Sequence, residues 1–281
     1  RLLFSAEIEG DQKIIFTDLA TGKSSILVDS VGQDWFPVFH PEGKEIIFMS
    51  DRTGSKSLYR MNYEGNGEKR VSPRGSEVGN PSWVPDSKKR VAFYYREDGG
   101  PQKTNLFSLD LTTGAEQRIT NFDGRNSTPK PAPNGEVVAY STNQFWPGWD
   151  VCLYTIRTKA NVCPLKGIDS FCRPAWNSAG TKILYSVGAG DSIALGEYDV
   201  AADSRTILSA PTGKSYDAQY VGNNSFIFAN NQAGSFDLYF QEKDKISVIV
   251  ESKYDLRYPS WHPSTVMEME VERLRSQKNP K

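Results

Sequence analysis

Six times along this chain of 281 residues a short pattern returns: in most copies a Pro, an aromatic two positions later, a turn rich in Pro, Asn, Asp or Gly, then an apolar run. FPVFHPEGKEIIFMSD, Phe36 to Asp51, is the clearest copy. The others are PSWVPDSKKRVAFYY from Pro81, PKPAPNGEVVAYS from Pro129, PAWNSAGTKILYS from Pro174, AQYVGNNSFIFAN from Ala218 and PSWHP from Pro259. Counted from Pro37, successive starts lie 44, 48, 45, 44 and 41 residues apart. A fixed period of about 40 to 50 residues, filled with strand and turn signals and almost no helical periodicity, predicts the blades of a β-propeller.

The last copy sets the number of blades. PSWHP stops at Pro263 with no apolar strand behind it, and RLLFSAEIEG opens the chain at Arg1 with no such motif before it. Joined, the two make one complete unit. The expected fold is therefore all-β: six four-stranded antiparallel blades, with a C-terminal strand pairing with the N-terminal ones to close the ring. Residues 1–263 are read as one propeller domain and 264–281 as a tail. The tail, TVMEMEVERLRSQKNPK from Thr265, combines helix formers with dense charge, and is read either as a solvated end or linker or as a short helix docking on a partner or the rim.

Within each unit four strands are expected. In the second blade they are Pro37 to His40, Ile46 to Ser50, Ser57 to Asn62 and Lys69 to Ser72, separated by PEGK, DRTG and YEGNG turns. Phe39, Trp83, Trp176, Tyr220 and Trp261 recur at one position of the unit, which assigns them to the packing between blades.

Charge narrows the function classes. Thirty-three Lys and Arg against 34 Asp and Glu leave a net charge of -1, without the basic excess that a nucleic-acid surface needs. No run of about 18 apolar residues is present to form a transmembrane helix. The chain opens on Arg1 with neither Met nor an apolar signal segment, so its natural N-terminus is expected to be processed or trimmed.

The units from Pro37 and Pro81 resemble the repeat of the TolB-like propellers, which include the periplasmic component of the Tol/Pal envelope system. The shared features are P-x-W-x-P-D/E-G-K before an apolar strand, Ser50-Asp51-Arg52 after it, and Leu-Tyr in the third strand at Leu58-Tyr59 and Leu238-Tyr239. The resemblance covers residues 1 to 263 and does not include the N-terminal α/β domain of a full TolB. It implies a propeller that binds other proteins in the periplasm or cell envelope. The same repeat also builds enzyme accessory domains and sugar-active propellers.

Signals for catalysis are sparse. The two histidines, His40 and His262, hold the same turn position of the repeat and read as turn-capping residues, far short of a catalytic triad or a cluster of transition-metal ligands. The Gly-Lys-Ser triplets within ATGKSS (from Ala20) and PTGKS (from Pro211) lack both the earlier glycine of a phosphate loop and a following helix. No metal or cofactor is expected. Cys152 and Cys163 fall on the third and fourth strands of the fourth blade, where they either form a cross-strand disulfide or, with Cys172, remain free thiols.

Propellers act through the loops of one face and the mouth of the channel. That face receives the connections between blades and those between second and third strands. From these come the candidate binding residues Asp34, Trp35, Arg52, Arg96, Arg125, Phe145, Trp146, Trp149, Arg173, Tyr216 and Arg257. NQFWPGW, Asn143 to Trp149, is unusually aromatic for a turn, and reads either as an interface anchor or as a local cap on its own blade. The five arginines either converge to make a mouth that favours anionic groups or pair with nearby acids, as Arg52 with Asp51 or Arg257 with Asp255. The reading is a non-catalytic module, alone as a monomer or as a subunit of an envelope complex, that binds a protein or peptide partner with anionic groups favoured. The alternatives are an enzyme accessory or carbohydrate-active propeller, and a structural module of a larger envelope assembly.

Overall fold

The computed structural model describes residues 1–262 apart from 87, 101, 146–147, 209–211 and 223, so the expected tail at 264–281 lies outside the described residues. Every regular element among the described residues is a strand. The first blade begins with β1 (Leu2–Ile8), β2 (Asp11–Asp18) and β3 (Lys23–Val28). The second is β4 (Asp34–Phe39), β5 (Glu45–Ser50), β6 (Ser57–Asn62) and β7 (Lys69–Arg70), and the third is β8 (Val78–Trp83), β9 (Val91–Glu97), β10 (Thr104–Asp110) and β11 (Glu116–Arg118). The fourth is β12 (Asn126–Pro131), β13 (Val137–Thr142), β14 (Asp150–Thr155) and β15 (Asn161–Leu165). The fifth is β16 (Ser170–Trp176), β17 (Lys182–Ala189), β18 (Ser192–Asp199) and β19 (Ser204–Ile207), and the sixth is β20 (Ser215–Tyr220), β21 (Ser225–Asn230), β22 (Asp237–Glu242) and β23 (Lys245–Val250). Finally β24 (Leu256–Trp261) returns to the first blade and pairs with β1.

That closure is the clasp expected from the split repeat. Leu2 faces Trp261, Leu3 faces Ser260, Ser5 faces Arg257 and Ala6 faces Leu256. Beyond the ladder, the amide of His262 donates to the carbonyl of Arg1 at 3.1 Å. The inner strands start about three residues earlier than the motif suggests, because each continues back through a bulge ahead of the repeat's Pro.

Burial follows the blade geometry. A second strand is covered on both faces, so it reads as a continuous apolar run: Ile46, Ile47 and Phe48 are wholly buried. Among the described residues there is no one central core. Instead six apolar clusters form, each between two adjacent blades. Leu2, Phe4, Ala6, Ile15 and Leu256 of the first blade pack on Ile227, Ala229 and Leu238 of the sixth. The recurring aromatics latch neighbouring blades as well as filling space. The indole of Trp83 donates to the Val38 carbonyl at 3.2 Å, and that of Trp176 donates to the Lys130 carbonyl at 3.0 Å.

The histidines join blades too. His40 accepts the Glu42 amide at Nδ1, which leaves its Nε2–H to donate to the Lys89 carbonyl of the third blade. His262 Nε2 lies 2.9 Å from the Pro41 carbonyl of the second. Burial holds the His262 imidazole below its ordinary pKa, against the pull of that carbonyl. The fourth blade carries the Cys152–Cys163 disulfide across β14 and β15, while Cys172 is a free thiol.

Candidate functional site: the channel and the loop face

At the third residue of every inner strand's common core the backbone enters the left-handed region. The six residues are Phe36 (φ 52°), Asn80 (50°), Thr128 (48°), Arg173 (58°), Asp217 (58°) and Tyr258 (55°). A Pro follows each of them except Asp217, which precedes Ala218. The ladder slips register at the same point in all six blades. A left-handed non-Gly residue costs on the order of 1–3 kcal/mol and persists only where the surroundings over-determine it. Here the outcome of the strain is positional: all six side chains line one cavity of about 890 Å³ at the middle of the ring.

The walls of that cavity differ in chemistry. Between the fifth, sixth and first blades, Asp217 is shared by two guanidiniums: one carboxylate oxygen accepts from Arg173 Nη1, and the other accepts from Arg257 Nε at 2.9 Å. The Asp217 side chain is 9% exposed. Burial alone would raise its pKa, but the two arginines outweigh that and hold the carboxyl below its ordinary value. The Arg257 guanidinium lies 4.4 Å from the Phe236 ring and 4.9 Å from that of Tyr216, and Arg173 lies 4.7 Å from Tyr216. On the first and second blades Tyr258 and Phe36 place their ring centroids 3.8 Å apart. Lys130 projects from the fourth blade, and burial lowers its pKa with partial opposition from Asp217. Cys172 lines the same space, where burial pushes its thiol pKa up.

Of the residues expected at a binding face, the structure brings Arg173, Tyr216 and Arg257 together around Asp217. Arg173, Tyr216 and Trp149 line the cavity, whereas Arg257 stands outside its lining. Arg52 is instead held within the second blade, by Asp34 at 2.8 Å and by Glu68, with its guanidinium 4.7 Å from the Tyr59 ring. Its partner Asp34 is wholly buried, and Trp35 packs into the cluster between the second and third blades. Arg96 pairs with Glu116 and stacks on Phe107 at 3.8 Å. The acids that hold Arg52 and Arg257 are thus Asp34, Glu68 and Asp217, and not the sequence neighbours Asp51 and Asp255. Arg125 is exposed and makes no ion pair among the described residues. Phe145 is 49% exposed, and Trp146 lies outside the described residues.

Sequence reasoning missed Asp217, Lys130, Phe36 and Tyr258 as channel residues. It also passed over Val31 and Ile168, which sit in connections between blades and are 98% and 91% exposed. Ile168 belongs to the loop beside Phe145, since the Phe171 amide donates to the Trp149 carbonyl at 2.6 Å. Among the described residues no three His, Cys, Asp or Glu side chains gather as a metal site.

Comparison with known proteins bears on this geometry. A family model described as the TolB beta propeller domain matches residues 1–162. The Tol-Pal system protein TolB of Helicobacter hepaticus is 32% identical over 102 residues, which is 34% of this chain and only 23% of that protein. TolB from Acinetobacter baumannii has a crystal structure that superposes with a TM-score of 0.80 at 16% identity, over 94% of this chain and 66% of that one. Hydrazine synthase from Kuenenia stuttgartiensis superposes with a TM-score of 0.77 at 12% identity, over 92% of this chain and 46% of that one. At these identities the structural likeness shows the fold alone.

Proposed function

We propose that this chain, which belongs to the TolB beta propeller domain family, is a non-catalytic protein- or peptide-binding module of the bacterial envelope that takes its partner on the loop face around the channel mouth. The observation that carries this reading is the chemistry of that face. Val31, Phe145 and Ile168 put large apolar side chains into solvent there, and exposed Arg125 adds a cation with no ion pair among the described residues. Exposed apolar groups rimmed by polar ones favour partner binding, with aromatic and Arg side chains as the usual anchors. The relative from Helicobacter hepaticus is named for the Tol-Pal system, which supports an envelope role by family analogy. A Cys152–Cys163 disulfide suits an oxidising compartment such as the periplasm.

The test is affinity capture from an envelope extract with three baits: the wild type, a Phe145→Ser/Ile168→Ser double variant, and a Lys44→Glu control in the turn on the opposite face. Arg52 and Arg96 are unsuitable probes because each holds its own blade together. A partner retained by the wild type and the control but lost by the double variant is the expected result. Equal retention by all three baits, or no enrichment by any, overturns the reading.

A further inference from the structure

We infer that the central channel is a binding site for a small organic carboxylate with a flat apolar body, its charge held at Lys130 and Arg173 and its body against Phe36 and Tyr258. This inference does not rest on the loop-face reading, because these groups lie inside the ring. A cavity of about 890 Å³ with aromatic walls and a few converging polar groups has the size and lining of a small-molecule site.

The charges there do not balance. Lys130 and Arg173 line the cavity with one carboxylate, Asp217, whose two oxygens are already taken by Arg173 and by Arg257, itself not part of the lining. The Lys130 ammonium has no carboxylate or carbonyl partner among the described residues, although it is partly withdrawn from water. Lys130 is thus a cation of the lining with no counter-charge among the described residues, and such a cation, partly removed from water, is stabilised by an anion brought to it. The planar fork of a carboxylate matches the guanidinium of Arg173 and accepts from an ammonium as well.

The adjoining part of the lining selects the body of the ligand, since the Tyr258 ring centroid lies 5.5 Å from the Arg173 guanidinium. Phe36 and Tyr258 offer ring surface to the same cavity, where a flat apolar group stacks and gives up water. Asn80, on the third blade, has a side-chain amide with no partner among the described residues and can bond a further polar atom. Phe36, Asn80, Arg173 and Tyr258 stand at four of the six strained backbone positions, which hold them in place before any ligand arrives.

The experiment is a titration of the isotopically labelled protein, followed by backbone amide shifts, with phenylacetate, its neutral analogue phenylacetamide and inorganic phosphate as probes. Phenylacetate should give saturable shifts at amides of the inner strands, with weaker or no response to the other two. A Lys130→Met variant, which breaks no described ion pair, should keep the wild-type fold by circular dichroism and bind phenylacetate at least about tenfold more weakly. A Phe36→Leu variant should weaken phenylacetate while leaving Lys130 in place. Unsaturable shifts, equal binding of phenylacetamide or phosphate, or unchanged affinity in Lys130→Met would each overturn the assignment. Equal partner retention by all three baits, or no enrichment by any, with phenylacetate binding intact would count against the loop-face reading alone.

Discussion

Asp217 is the residue on which the charged wall of the channel depends. Replacing it with Asn leaves Arg173 and Arg257, with side chains 26% and 17% exposed, without their shared counter-charge. Removing one partner of a largely buried ion pair costs on the order of 3 kcal/mol, so Asp217→Asn should lower the urea midpoint by a corresponding amount at neutral pH. The pH dependence follows from the depressed Asp217 pKa. A carboxyl with a folded-state pKa below 3.8 contributes stability that is fully present above that value and is lost as pH falls through the folded pKa. The gap between wild type and variant should hold from neutral pH to about pH 4 and close below it. A gap that stays constant into acid would show that Asp217 is not ionised against its arginines. The signal for this triad was present in the chain: 173 and 217 are one blade period apart, and 257 stands next to the equivalent position. It was hidden because strict strand alternation sends these side chains elsewhere until the bulge is known.

At the scale of elements, β24 and the Cys152–Cys163 disulfide make separable demands on stability. Without β24, the edge of β1 loses its ladder, and the cluster between first and sixth blades loses Leu256 and Trp261. A chain ending at Asp255 should be aggregated or unfolded by size-exclusion chromatography and circular dichroism. A monomer that melts cooperatively near the parent temperature would contradict the clasp. The disulfide joins neighbouring strands 11 residues apart in sequence. Constraint of so short a loop is worth about 2–4 kcal/mol, so Cys152→Ser/Cys163→Ser should unfold at lower urea yet remain a folded propeller. The repeat made the clasp legible because half a motif stood at each end. The cysteines could not be decided from the chain alone, since facing strands permit a bridge without requiring one.

At the scale of the whole molecule, six near-equivalent blades place six equivalent residues around one channel, and the differences among them carry the chemistry. The ring was legible in the sequence because a period of 41 to 48 residues demanded it. The loop face was legible as a set of connections. Which loops bare apolar groups was not, since Val31 and Ile168 look like ordinary β-branched residues until burial separates them from the core. The central functional claim is that a partner docks on that face. Amide hydrogen exchange of the propeller, alone and with the captured partner, tests it most directly. Added protection is expected across 29–34, 121–126 and 166–170 on the loop face, with turns 40–44, 132–136 and 177–181 on the opposite face unchanged. Protection confined to those opposite turns would contradict it.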